Sequence, residues 1–102
     1  MPSRRREPQD ATAAPRQPSR DWKDTEEFRG LAKNLGKNVR EIRQGLGWTL
    51  EIAAEHMDVD LRHLAKIEAG QLNPTLVTLM RVAQGLAVPI EALFKLMQPA
   101  DD

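Results

Sequence analysis

The spacing of apolar residues between Phe28 and Leu46 constrains this sequence more than any other feature. These side chains recur every three or four residues, which is the period of one face of an α-helix. The inward-facing set is Phe28, Leu31, Ala32, Leu35, Val39, Ile42 and Leu46. The stretch Asp24-Thr25-Glu26-Glu27 has the spacing of a capping box, so we expect the helix to begin there and to end at Gly45 and Gly47.

Capping residues along the rest of the chain predict four further helices. Short polar side chains favour helix N-caps, glycine favours the position after a helix, and proline is tolerated in a first turn. The predicted spans are Thr49 to about Met57, Asp60 to Gly70, Thr75 to about Gly85, and a fifth helix from Pro89 onward. No segment shows the alternating pattern of a strand, so the fold class is all-α with five helices.

The first twenty residues differ from the rest in composition. They hold four of the seven prolines and five arginines, and they contain no Val, Ile, Leu, Phe or Trp. Such a stretch cannot bury enough apolar area to offset the entropy of ordering it. We therefore divide the chain into a flexible, disordered basic tail over residues 1–22 and a folded domain over residues 23–98.

A chain of 102 residues without cysteine has few ways to support a small core. Disulfides and thiolate metal sites are excluded, so association with a second copy is the expected support. Both serines, Ser3 and Ser19, lie in the tail, and the two histidines, His56 and His63, share no third ligand at a metal-site spacing. We expect no enzymatic activity, no metal and no cofactor.

The charge balance excludes a general electrostatic attraction of the chain to nucleic acid. Fifteen basic and fifteen acidic residues give a net charge of zero, so any such binding has to come from the placement of a few cations. No apolar run approaches the roughly 18 residues that span a bilayer, and no apolar segment of a secretory signal follows the N-terminal arginines. We expect a cytoplasmic protein without membrane contact.

The second and third predicted helices have the lengths and the spacing of a known DNA-binding motif. Two short helices joined by a turn of about four residues fit a helix-turn-helix, in which the second helix can enter the DNA major groove. Here that helix exposes Arg62 and Lys66. Short helix pairs are common, however, and a charged helix face is more often only solvated.

The ordered motifs between Leu35 and Phe94 resemble the Cro/repressor-type (XRE) helix-turn-helix family. The matching motifs are Gly36 with Arg40 and Arg43, Gly47-Trp48-Thr49, Ala54, Ile67-Glu68-Ala69-Gly70 and Asn73-Pro74-Thr75-Leu76. The resemblance implies a compact five-helix, lambda-repressor-like domain. It also implies a transcriptional regulator, specific for a sequence in double-stranded DNA, with repression favoured over activation. Relatives often have a glutamine that contacts the DNA backbone at the position of Leu50, and that contact does not carry over. The usual turn glycine is Asp58 here, and aspartate tolerates a left-handed conformation better than most residues do.

The resemblance also assigns roles to individual residues. The base-reading residues are Leu61, Arg62 and Lys66. The candidate contacts to the DNA backbone are Lys37, Arg40, Arg43, Thr49, His63, Gln71 and Asn73. Arg43 and Glu68 correspond to a pair that joins the first and third helices in some relatives, the alternative being two independent surface charges. Asn73 could equally serve only the backbone of its turn.

A half-site read by one short helix binds weakly, so a homodimer on a palindromic operator is expected. The proposed dimer seam is the apolar row Ile90, Leu93, Phe94 and Met97, with ordinary core packing as the alternative. The rival function is an antitoxin or adaptor that mainly binds a protein partner. A small hydrolase using Glu55 and His56 is a remote third possibility, since no acid and base converge in the sequence.

Overall fold

The computed structural model describes residues 21–96, and the predicted tail up to residue 20 and Met97 lie outside this part. Four α-helices are present: α1 (Glu26–Gly45), α2 (Leu50–Met57), α3 (Leu61–Glu68) and α4 (Leu76–Leu86). Two short 3-10 helices flank them, Trp22–Asp24 and Ile90–Phe94. No strand occurs among residues 21–96, which confirms the all-α class.

Side-chain oxygens cap the N-terminus of every α-helix in this part of the chain. Thr49, Asp60 and Thr75 occupy the predicted cap positions of α2, α3 and α4. The cap of α1 is Thr25, whose Oγ1 accepts a hydrogen bond from the Phe28 amide at 3.1 Å. The sequence placed this start one residue earlier, but Asp24 belongs to the preceding 3-10 helix, where its amide donates to the Asp21 carbonyl.

A residue in the left-handed conformation follows each of the four α-helices. The four are Gly47, Asp58, Gly70 and Ala87, with φ between 56° and 76°. In each case the next amide donates back to a carbonyl five residues earlier, as Val59 does to Ala54 at 3.1 Å, so these are Schellman-type ends. The prediction that Asp58 takes the place of a turn glycine is confirmed.

The fifth predicted helix is the one error in the count of elements. Residues Ile90–Phe94 form a five-residue 3-10 helix, and Lys95 after it is extended. Pro89 provides no side-chain cap. The carbonyls of Leu93 and Lys95 accept hydrogen bonds from the Asn38 amide group at 2.9 and 2.8 Å, which fixes this segment against α1 in place of a longer helix.

The core lies between α1 and the other helices. Its fully buried large side chains are Met57, Leu64, Ile67, Leu93, Val39 and Val82. α2 packs against α4, and α1 packs against α3 and the C-terminal 3-10 helix. In α2 the buried positions are Ala53, Ala54 and Met57, while Ile52 stays 41% exposed, so Met57 is the one large side chain that this helix buries fully.

The apolar stripe predicted for α1 is wider than the face that is buried. Leu31 and Leu46 are 49% and 46% exposed, whereas Asn38 is buried within the stripe. Trp48 packs partly on the core, as expected of an apolar position, and its ring also stacks on His56 with centroids 4.1 Å apart. None of the helices in the described part is long and apolar enough to cross a membrane.

Gly36 allows the closest approach between two helices. A Cβ atom built there would lie 2.5 Å from the Glu68 carbonyl oxygen and would also clash with the Ile67 carbonyl oxygen. α1 can therefore touch the backbone at the end of α3 only because this position lacks a side chain. The approach sets how deeply α3 sits against α1.

Replacing Gly36 by alanine should lower the free energy of unfolding by about 1–3 kcal/mol, because the new methyl group meets backbone that cannot move aside. Gly30 is the matched control, since it lies in the same helix and a Cβ there has nothing within 4 Å. Gly30→Ala should raise stability by about 0.5–1 kcal/mol through helix propensity. Urea unfolding of both variants measures the difference, and equal effects would contradict the close approach.

Candidate nucleic-acid interface

The turn between α2 and α3 fixes the start of the third helix. Asp58 is left-handed, and its carbonyl lies 3.4 Å from the Arg81 guanidinium on α4. Asp60 then caps α3, with its Oδ2 accepting from the amides of Arg62 and His63 at 3.1 and 3.3 Å. The Asp60 carboxylate is thereby engaged with the helix end, and the first turn of α3 is held rigidly.

α3 has two faces of different character. Leu64, Ile67 and Glu68 are buried against the rest of the domain. The three predicted base-reading residues, Leu61, Arg62 and Lys66, are exposed. Arg62 and Lys66 are four residues apart and therefore share one side of the helix. The structure thus brings the three together on the outer surface of α3.

An open groove separates the N-terminal turns of α2 and α3. It is lined by Leu50, Glu51, Asp60, Leu61, Arg62 and Ala65. The lining combines aliphatic side chains, two carboxylates and a single guanidinium. The groove was not anticipated from the sequence, because its two walls come from different helices.

A buried ion pair fastens α3 to α1. Arg43 Nε lies 2.7 Å from Glu68 Oε2, and a second guanidinium nitrogen lies 3.0 Å from Oε1. The remaining nitrogen of Arg43 donates to the Trp48 carbonyl at 2.8 Å. The two side chains are only 12% and 5% exposed. We call this arrangement the Arg43–Glu68 clamp.

The clamp keeps Arg43 charged. Hydrogen bonding to the Glu68 carboxylate raises the pKa of the Arg43 guanidinium above its ordinary value, although desolvation acts in the opposite direction. Stability gained from such a raised pKa is lost only when pH rises through it, far above the physiological range. The Arg43 side of the clamp is therefore charged throughout the physiological pH range.

Apart from His63 on α3, the predicted backbone contacts lie on α1 and in the loops before α2 and after α3, and they differ in exposure. Lys37, Thr49, Gln71 and Asn73 are exposed. Arg40 has a half-exposed side chain, and its Nε lies 3.7 Å from Glu68 Oε1, so Glu68 attracts a second cation. Thr49 Oγ1 accepts from the Ile52 amide at 3.1 Å, which leaves the hydroxyl hydrogen available to donate.

His63 is more buried than the exposed candidates for contacts to the DNA backbone. Its side chain is partly buried, and its Nε2 is buried without a hydrogen-bond partner among residues 21–96. That nitrogen cannot reach a phosphate in this arrangement. Any contact of His63 with the DNA backbone has to use another atom of the residue.

The structure changes which apolar residues are available to form a dimer seam. Leu93 is fully buried in the core of its own domain, so it has no surface to offer a second copy. Ile90 and Phe94 pack partly on that core, and Met97 lies outside the described residues. Large apolar side chains are exposed instead on α4, where Leu76, Val77 and Met80 are 67%, 59% and 58% exposed. We call these three residues the α4 patch.

Two asparagines that sequence reasoning passed over hold the C-terminal segment in place. Asn38 donates to the carbonyls of Leu93 and Lys95, and Asn34 donates to the Lys95 carbonyl at 3.0 Å. In the sequence, the one indication of this role is that Asn38 is a polar residue directly beside Val39, within an apolar stripe. The carbonyls that Asn38 bonds lie 55 and 57 residues away, which no local pattern reveals.

Comparison with known sequences finds relatives of this chain. A family model described as Helix-turn-helix (HTH_3) matches residues 39–93. The HTH-type transcriptional regulator SutR of Escherichia coli is 36% identical over 70 residues, which cover 69% of this chain. The chain spans only 39% of the length of that relative.

A second relative and a solved structure match over most of their own length. An uncharacterized HTH-type transcriptional regulator of Sinorhizobium fredii, y4dJ, is 31% identical over 72 residues, covering 71% of this chain and 90% of the relative. The crystal structure of the restriction-modification controller protein C.AhdI from Aeromonas hydrophila superposes with a TM-score of 0.60 at 28% identity. That match covers 62% of this chain and 96% of the controller protein.

Glu68→Ala should lower the free energy of unfolding by about 3–5 kcal/mol, because it leaves the Arg43 guanidinium largely buried without its counter-charge. Urea unfolding provides the measurement. Glu55→Ala, an exposed acidic residue on α2, should change stability by less than about 0.5 kcal/mol.

The double variant of Arg43→Ala with Glu68→Ala separates the clamp from simple loss of packing. It should lose clearly less than the sum of the two single variants, since neither charge is then left unmatched. Strictly additive losses would show that the two side chains do not act as a pair.

Proposed function

Because this chain belongs to the HTH_3 family of helix-turn-helix proteins, we propose that it is a transcriptional regulator that binds a specific sequence in double-stranded DNA. Family membership confirms the resemblance drawn from the sequence. The observation that carries the proposal is the orientation of α3. Its inner face is anchored by the Arg43–Glu68 clamp, and its outer face presents Leu61, Arg62 and Lys66.

Base reading is assigned to the outer face of α3. Arg62 is the strongest contributor in this proposal, since a planar guanidinium can pair bidentately with guanine O6 and N7. Lys66 lies one turn further along the same side and adds a second cation. Leu61 offers an apolar contact that a thymine methyl group fits.

Contacts to the DNA backbone are assigned to residues of α1 and of the loops before α2 and after α3. Lys37, Arg40, Thr49, Gln71 and Asn73 provide exposed donors, and such contacts fix the register of the protein without reading sequence. Arg43 acts here mainly by holding α3, since the clamp engages its guanidinium. With a net charge of zero, non-specific affinity should be modest, and these few cations set the salt dependence.

A homodimer on a palindromic operator completes the proposal. Two reading helices about 34 Å apart meet successive turns of the major groove, which raises affinity above that of one half-site. The α4 patch replaces Leu93 as the centre of the proposed seam, because its three apolar side chains are exposed and adjacent on one helix. Occupancy of such an operator favours repression by occlusion of the promoter.

The remaining parts of the proposal concern the whole chain. We assign residues 1–22 to a basic tail and residues 23–98 to the DNA-binding domain, without catalytic activity; the 3-10 helix Trp22–Asp24 crosses this boundary and joins the tail to the domain. A regulator that binds chromosomal DNA acts in the bacterial cytoplasm, at the nucleoid.

The rival proposal is an antitoxin or adaptor, and the α4 patch is the observation that favours it. Exposed apolar side chains fit a different protein as well as a second copy. Purification from the native cell discriminates between the two functions. A stoichiometric protein partner without an enriched DNA sequence would favour the rival.

Arg62→Ala should lower affinity for an operator selected from a random duplex pool by about 5- to 150-fold, because one bidentate base contact is worth about 1–3 kcal/mol. Its affinity for random duplex should change far less. Arg40→Ala, at the backbone, should weaken binding to both duplexes alike. Titrations by fluorescence anisotropy measure all four affinities, and parallel losses for the two variants would remove the assignment of α3 as the reading helix.

Met80→Glu should raise the dissociation constant of the dimer by at least about a hundredfold, because it buries an unpaired charge in the proposed seam. Sedimentation velocity over a range of concentrations provides the measurement. Gln44→Glu is the matched control, since it adds the same charge at an exposed position of a different helix, α1. A dimer unaffected by Met80→Glu would place the seam elsewhere, and a wild-type monomer at all concentrations would refute the dimer.

A further inference from the structure

We infer that the groove between α2 and α3 binds the C5-methyl group of a pyrimidine in the base pair next to the guanine read by Arg62. This inference rests on the proposed function and specifies which bases the site recognises. The residues concerned are Leu50 and Leu61, which line the groove from different helices, and Ala65, which lies one turn along α3 from Leu61.

The charges in the groove argue against a phosphate as its occupant. Glu51 and Asp60 place two carboxylates in its lining against the single guanidinium of Arg62. The Asp60 carboxylate already caps α3, and it stays an anion beside the groove. Phosphate oxygens would be repelled there, whereas a neutral base edge would not.

The aliphatic lining selects among base edges. Leu61 is 40% exposed, and Leu50 packs its inner part on the core while its outer part reaches the groove. Among the groups that the four bases present in the major groove of DNA, the C5-methyl group of thymine is the only aliphatic carbon; the others are hydrogen-bond donors, acceptors or ring C–H groups. 5-Methylcytosine presents the same methyl group at the same position. Among base-edge groups, a pyrimidine methyl is therefore the one that this aliphatic lining fits best.

Neighbouring residues on α3 give the position of that base. Arg62 follows Leu61 directly and lines the same groove. A guanidinium paired with a guanine thus places the Leu50–Leu61 surface over an adjacent base pair. The combined reading is a guanine beside a methylated pyrimidine, and Leu50 contributes through its carbon atoms rather than through a polar contact to the DNA backbone.

The test uses the selected operator and removes single methyl groups from it. Each thymine in turn is replaced by deoxyuridine, which lacks only the methyl group. At one position per half-site, next to a guanine, wild-type affinity should fall about three- to fivefold. A further duplex with cytosine or 5-methylcytosine at that position distinguishes the two sources of the methyl group. If 5-methylcytosine restores the affinity and cytosine does not, the methyl group is sufficient whichever pyrimidine carries it. If neither restores the affinity of the thymine duplex, the methyl group is bound only as part of thymine.

Protein variants connect the effect to the groove. In Leu61→Ala the loss on changing thymine to deoxyuridine should shrink to less than about 1.5-fold, since the methyl group then has no partner. Ile52→Ala is the matched control, because Ile52 is an equally exposed aliphatic residue of α2 outside the groove, and it should keep the full discrimination. Thermal unfolding verifies that both variants fold.

The outcomes separate this inference from the proposed function. An operator that binds sequence-specifically but tolerates deoxyuridine at every thymine overturns the inference and leaves the regulator proposal intact. An equal loss in Leu61→Ala and wild type also overturns it. A random pool that yields no preferred duplex overturns both.

Discussion

The Arg43–Glu68 clamp is the interaction on which the rest of this structure depends. It joins α1 to α3 through two short hydrogen bonds, and the same guanidinium reaches the Trp48 carbonyl in the loop before α2. One side chain therefore positions three segments. Because Gly36 lets α1 touch the backbone at the end of α3, the ionic contact and the close steric approach constrain the same helix. α3 is thus held at its inner face, which leaves its outer face, the proposed DNA-reading surface, exposed.

Small residues and polar contacts compensate for a core that is thin in places. α2 buries only alanines and Met57, and its approach to α4 requires Gly85, where a Cβ would lie 2.7 Å from Met57. The C-terminal segment is fastened by Asn38 as well as by the buried Leu93. A small domain without disulfides thus uses close backbone contact where it lacks bulky side chains. Support from a second copy through the α4 patch would fit the same need.

Recognition in the proposed function combines few charges with specific shape. The net charge of zero gives little general attraction to DNA, and two carboxylates lie beside the groove next to α3. Discrimination then depends on Arg62 and on the aliphatic lining from Leu50 and Leu61, which gain little from an incorrect base. Such a surface favours selectivity over strength, which suits a regulator that has to leave most of a chromosome unoccupied.

The sequence by itself determined the local structure: the α-helical spans, three of the four N-caps, the left-handed turn at Asp58 and the placement of Arg62 and Lys66 on one side of α3. These follow from interactions within a few residues, such as a threonine hydroxyl accepting from an amide in the next turn. Only the tertiary structure decided that Leu31 and Leu46 stay exposed, that Asn38 is buried and that Leu93 belongs to the core instead of a dimer seam. It also decided the 3-10 form of the last element and the groove between α2 and α3. A helical period fixes where a side chain points around its own axis, whereas burial depends on which distant segment covers it, as Asn38 and Leu93 show across 55 residues.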